Sequence, residues 1–174
     1  MLSKVLGGMI VAAALLGMTA VAEQSSTIKG TVFSSKTSSG AKIVTLTAPG
    51  GNYTVVIDDR GKSLASDMDG KKAEVVGIVT KEGNTNMLRV LSYNPILTGR
   101  VEATMDQAGA VTMVRLITPD RTYEIVLDDK GIELGKKMGG QMVDAVGTIN
   151  KKKILFIGKN EFIVKSFEHH KEAG

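Results

Sequence analysis

Residues 44–77 read VTLTAPGGNYTVVIDDRGKSLASDMDGKKAEVVG, and residues 114–147 read VRLITPDRTYEIVLDDKGIELGKKMGGQMVDAVG. Laid over each other without a gap, 13 of the 34 positions are identical. Among the shared residues are Pro49/Pro119, Tyr53/Tyr123, the pairs Asp58-Asp59/Asp128-Asp129, Gly61/Gly131, Leu64/Leu134, Met68/Met138 and Gly77/Gly147. The match continues outward with small changes of offset. Gly30-Thr31-Val32 falls on Gly99-Arg100-Val101, and Val90, Ser92 and Tyr93 fall on Val164, Ser166 and Phe167. Two copies are too few for a solenoid, and each is long enough to fold alone, so the pattern reads as a duplicated domain.

Each copy spells the same elements. Ile28–Ser34 alternates as a strand, and Lys42–Thr47 follows as a second. Pro49-Gly50-Gly51-Asn52 is a turn cluster. Tyr53–Asp58 is a β-branched third strand, and in the second copy Tyr123, Ile125 and Leu127 alternate with Glu124, Val126 and Asp128. A short helix is predicted over Gly61–Met68, with Leu64 and Met68 on one face and Gly70 ending it. Ala73–Thr80 and Met87–Tyr93 complete the unit.

The order β-β-β-α-β-β is that of an OB-fold, a small five-stranded barrel with a helix between its third and fourth strands. The fold class expected is therefore mainly β, two tandem OB-like barrels behind a signal peptide. The expected divisions are a signal peptide over 1–22, first and second OB-like domains over 23–94 and 95–168, and a charged tail over 169–174. Asn94-Pro95 is read as a short linker. Gly30/Gly99 and Gly77/Gly147 are expected at bends that let a small sheet close.

The first segment reads as an address. Lys4 is followed by an uncharged run from Val5 to Met18, then Ala20-Val21-Ala22 and Glu23. That is the order of a cleavable secretory signal, and the apolar run is short for a ~30 Å hydrocarbon core. The protein is thus expected to be exported, to the periplasm or the extracellular space, with no transmembrane segment after cleavage. The 174-residue chain contains no Cys, which excludes disulfides, thiol catalysis and Cys-based zinc sites. Beyond residue 22 it keeps 21 basic side chains (22 less Lys4) against 18 acidic. So slight an excess, with 4% aromatics and no Trp, argues against nucleic acid as the main partner.

Few residues suggest chemistry. Asp58-Asp59 and Asp128-Asp129 could hold a metal, but an Asp ahead of a short helix caps free N–H groups and meets the positive end of the helix dipole. These four are read as structural caps and no metal site is assigned. Tyr53 and Tyr123 share a strand face with Val55/Ile57 and Ile125/Leu127, which places all of them toward the core. His169 and His170 lie in the tail, and the scattered methionines read as core filler. There is no nucleophile elbow, P-loop, dinucleotide fingerprint or HExxH. The expectation is a protein without catalysis or cofactor.

One asymmetry separates the copies. The segment joining strands four and five is short in the first copy, Lys81–Asn86, and grows in the second to Lys151-Lys152-Lys153-Ile154-Leu155-Phe156-Ile157-Gly158-Lys159-Asn160. OB-folds recognise ligands with this loop, the loop between strands one and two, and the face of strands two and three. Lys151 to Ile157 are therefore the candidate partner-binding residues, apolar contacts ringed by lysines; extending a strand or packing on the first copy is the simpler use of Ile154–Ile157.

The signal segment, the absence of Cys, and the strand ends Val75-Val76-Gly77 and Ala145-Val146-Gly147 resemble the periplasmic bacterial OB-fold family. That resemblance implies a binding protein of the envelope and transfers no functional residue. The Asp-Asp-Arg/Lys-Gly corner and the presence of two copies depart from the family. The function expected is a non-catalytic exported binding or assembly module recognising a protein or other macromolecule. The alternatives are polyanion or single-stranded nucleic-acid binding, with Lys71, Lys72 and Lys151–Lys153 as contacts, and metal binding at the paired Asp corners.

Overall fold

The computed structural model describes residues 24–154 and 157–171, those from 151 to 159 by their backbone alone. The described chain is mainly β and consistent with an OB-like fold. Its elements run β1 (Ser25–Lys36), β2 (Lys42–Ala48), β3 (Gly51–Val55), α1 (Asp59–Met68), β4 (Lys72–Glu82), β5 (Thr85–Met105), β6 (Val111–Ile117), β7 (Thr122–Ile125), α2 (Asp129–Met138), β8 (Met142–Ile154) and β9 (Ile157–His169).

Strand pairing closes on itself twice. β1 pairs antiparallel with β2, β2 with β3, and β3 runs parallel to the start of β5 through Tyr53–Val55 and Asn86–Leu88. β5 pairs with β4, and β4 returns to β1. The second circuit repeats this with the later half of β5, then β6, β7, β9 and β8, back to β5. A ring leaves few unpaired backbone groups at an edge. Each ring has its register break at the same glycine, between Val76 and Gly77 in β4 and between Val146 and Gly147 in β8.

Alternation fills each ring. Val32, Leu46, Leu64, Val75 and Leu88 are fully buried in the first. Val101, Leu116, Leu134, Ala145 and Phe162 hold matching places in the second, where the Tyr123 ring tilts against Phe162 at 6.0 Å between centroids. Burying a side chain of this size contributes roughly 1.5–3 kcal/mol. The helices are short and close the rings by laying Leu64 and Leu134 onto these clusters. Each starts on an aspartate: the Asp58 carboxylate accepts the Gly61 N–H at 2.8 Å, and Asp128 accepts that of Gly131 at 2.8 Å. Each ends two residues before a glycine with positive φ, Gly70 (71°) and Gly140 (81°), the left-handed turn that glycine adopts without strain.

Two expectations are corrected, and one of two open readings is chosen. Asn94 and Pro95 are not a linker; they lie inside β5, a single strand of 21 residues. Proline is tolerated there because β5 changes partner at that point. Pro95 faces Ala73 of β4, while Ile96 already faces Val146 of β8, so the missing N–H falls where one ladder ends and the next begins. Ile57 and Leu127 do not point inward: they are 38% and 39% exposed, because β3 and β7 stop at Val55 and Ile125 and the chain leaves the sheet to reach its helix cap. Where it is described, the segment 151–160 follows the strand-extension reading. Lys151 to Ile154 pair with Asn160 to Ile157 and prolong the β8–β9 hairpin.

Candidate nucleic-acid interface

Lysines stand at several hairpin tips. At the tip of β1–β2, Lys36 stands directly across from Lys42. Both are exposed, and neither forms an ion pair among the described residues. At the tip of β4–β5, Lys81 faces Asn86. The second copy repeats that pair as Lys151 and Asn160, and one step on the backbone register sets Lys152 opposite Lys159. Like charges directly across a strand pair are destabilising. The Lys36–Lys42 pair is a place where an anion would relieve repulsion.

The β1–β2 hairpin adds an aromatic ring. Val32, Val44 and Leu46 take its inner face and are fully buried. Phe33 opposes Thr45, and Ser35 opposes Ile43, on the outer face. Phe33 is 50% exposed there, with Ile43 beside it at 37%. A phenyl ring held on a rigid strand with one side open is a surface on which a planar base can stack. Alternation carries the signal for this. Ile28, Gly30 and Val32 share one phase, which leaves Phe33 in the other.

The candidates read from sequence separate as follows. Lys151, Lys152, Lys153, Ile154 and Ile157 are placed along the β8–β9 hairpin by backbone pairing, and Leu155 and Phe156 lie outside the described residues. Asp58 and Asp128 are engaged with helix N–H groups, and Asp59 and Asp129 occupy the first helical turns. Among the described residues no group of three His, Cys, Asp or Glu is arranged to hold a metal ion. Tyr123 is buried and Tyr53 packs at the margin of its core. Two methionines read as core filler, Met105 and Met142, are 49% and 46% exposed instead; both stand at strand ends, where the core has run out. His170 is not idle in solvent. Its Nδ1 lies 3.0 Å from Asp144 Oδ2, and its backbone N–H donates to the Met142 carbonyl at 3.0 Å.

Asp144 is the hub of the junction between the copies. Burial pushes its carboxyl up; the Thr98 hydroxyl and His170 bind it and, with Lys72 at 4.0 Å, bring the net shift below the usual carboxylate range. Lys29 of β1 reaches Glu168 of β9 at 2.8 Å, and Lys165 donates to Asn94 Oδ1 at 2.7 Å. Val146 is 1% exposed yet belongs to neither core cluster. Nearby, Tyr93 donates to Asp67 at 2.7 Å; burial and that hydrogen bond push its hydroxyl up to about 12. The sequence reading singled out neither Phe33 nor the Lys36–Lys42 pair.

No protein-family model matches the sequence, and no curated protein matches it. Solved structures do match. One is the wild-type single-stranded DNA binding protein from Thermus aquaticus, 14% identical over 86% of this chain and 94% of that one, with a TM-score of 0.29. A deletion mutant of the same protein matches at 14% identity over 86% and 95%, with a TM-score of 0.28. Both neighbours are proteins that bind single-stranded DNA, the partner class that the sequence reading set aside in favour of protein. The likeness is distant, so the ligand has to be read from this chain's own side chains.

Proposed function

We propose that the protein binds single-stranded nucleic acid, without catalysis, through two tandem OB-like barrels spanning 23–94 and 95–168. The two strand circuits, each with a helix between its third and fourth strands, support the tandem reading. The observation that carries the ligand is the β1–β2 hairpin. It holds an exposed Phe33 on one face and an unneutralised Lys36–Lys42 pair at its tip. Lysines supply attraction to phosphates that does not depend on sequence. An exposed ring supplies stacking, which unpaired bases offer and a closed duplex does not.

The test is fluorescence anisotropy with a labelled oligothymidylate, in competition with heparin and with duplex DNA. The expected result is salt-dependent binding in which single strands compete better than duplex. Absence of binding at low salt overturns the reading. We also propose that residues 1–22 direct export; the leader pattern supports this, and an N-terminus at Glu23 in the mature protein is the expected outcome of peptide sequencing.

A further inference from the structure

Between the copies, beside the middle of β5, opens a cleft of about 1160 Å³. Its walls come from α1 and the start of β4 on one side, and from the turn between β6 and β7 on the other. Most basic side chains near this junction are already used. Lys29 holds Glu168, Lys72 lies against Asp144, Lys165 holds Asn94, and Lys71 donates to the Asp67 carbonyl at 3.2 Å.

Two are not used. Arg60 from α1 and Arg121 from the β6–β7 turn both line the cleft, are exposed, and form no ion pair or side-chain hydrogen bond among the described residues. Acidic groups there are partly spent. Asp67 is bound by Tyr93, and Asp59 lies 3.6 Å from Lys62, which leaves Asp120 without a partner among the described residues. The junction therefore presents two open guanidiniums, one from each copy, whose planar donors suit phosphate oxygens.

The cleft also adjoins the hairpin that carries Phe33. The Val32 N–H donates to the Lys71 carbonyl at 3.0 Å, and the Ser34 N–H donates to Asp69 at 2.7 Å. Lys71 is thus both the foot of that hairpin and an edge of the cleft.

We infer that Arg60 and Arg121 form a phosphate bridge, over which a single strand bound at the first copy crosses to the second. This rests on the nucleic-acid reading above. It makes the two copies one site with a length requirement, because the crossing is rewarded only when the strand reaches both.

The test uses the mature protein and two labelled oligothymidylates. One has about 8 nucleotides, within the reach of one OB-like unit, and the other about 30, enough for two. The unmodified protein should bind the longer strand at least about tenfold more tightly, as linked sites do. In the double variant R60A/R121A that advantage should shrink toward the short-strand value, while short-strand affinity stays within about twofold. The slope of log affinity against log salt for the longer strand should fall by about 1.4, at ~0.7 for each lost phosphate contact. R60K/R121K should recover most of the slope. Unchanged long-strand affinity and slope in R60A/R121A overturn the bridge, as does an equal loss for both lengths. Binding of neither strand by the unmodified protein overturns the nucleic-acid reading itself, and the bridge with it.

Discussion

Lys29 and Glu168 meet at 2.8 Å although 139 residues separate them in the chain. The first strand of one copy is thereby tied to the last strand of the other. Both side chains are about half exposed, so solvent screens the pair and the entropy of holding two long side chains opposes it. E168Q should therefore lower global stability by less than about 1 kcal/mol in urea unfolding. A much larger loss would mean that the junction supports the fold itself.

Gly61 and Gly131 are held by close approach. A Cβ at either position would lie 2.0 Å from a carbonyl oxygen, that of Val56 or of Val126. Neither oxygen can move freely, because each belongs to backbone fixed between the end of a strand and a helix cap. Gly61→Ala and Gly131→Ala should each cost about 3 kcal/mol, read as a drop in urea midpoint. A loss under about 1 kcal/mol would show that the corner relaxes.

These glycines belong to the part of the fold that was legible. The repeat, the order of elements and the Asp-x-x-Gly cap all come from local rules: alternation, turn chemistry and helix capping. Identical rules acting twice made each copy a check on the other. What was not legible depends on partners far apart in the chain. Pro95 suggested a break because proline ends local structure, and only the exchange of β4 for β8 beside it explains an unbroken strand. His170 looked free because its partner, Asp144, is 26 residues away on another strand. Phe33 was legible in principle from its phase beside Val32, but a small excess of positive charge hid the clustering of lysines that pairing produces at hairpin tips.

The caps give a separate test of the metal alternative. Asp58 and Asp128 each satisfy one N–H at the start of a helix. Asp58→Ala and Asp128→Ala should each destabilise by about 1 kcal/mol. The unmodified protein should melt at the same temperature with calcium or with chelator. Stabilisation by calcium that disappears in Asp58→Ala would restore a metal role for the corner.

Asp144 sets an acid limit on the junction. Its folded pKa is lowered, because bonds from Thr98 and His170 and the Lys72 charge outweigh the cost of burial. A lowered carboxyl contributes stability that is present above its unfolded pKa and is lost as pH falls through the folded value. The window thus lies below the ordinary aspartate range, near and under 3.8. Asp144→Asn should flatten that part of the acid-unfolding curve and leave stability near neutrality less dependent on Lys72. An acid limb unchanged by Asp144→Asn would assign it to other carboxylates.

The hairpin of β1 and β2 makes the most direct statement about ligand. Phe33 and the Lys36–Lys42 pair sit on one arm but would act differently on a bound strand. Stacking is a contact with a base, worth roughly 1–3 kcal/mol by alanine substitution and nearly independent of salt. Phosphate contacts release counterions and set the salt slope, at ~0.7 per contact for a single strand. Phe33→Ala should therefore weaken oligothymidylate binding by about 1–3 kcal/mol at every salt concentration, leaving the slope intact. Lys36→Ala and Lys42→Ala should each reduce the slope by about 0.7, with losses greatest at low salt. Removing one lysine also relieves the repulsion across the pair, so either single variant should be at least as stable as the unmodified protein while binding more weakly. If Phe33→Ala instead changes the slope, or the lysine variants leave it untouched, then the arm does not hold the strand in this way.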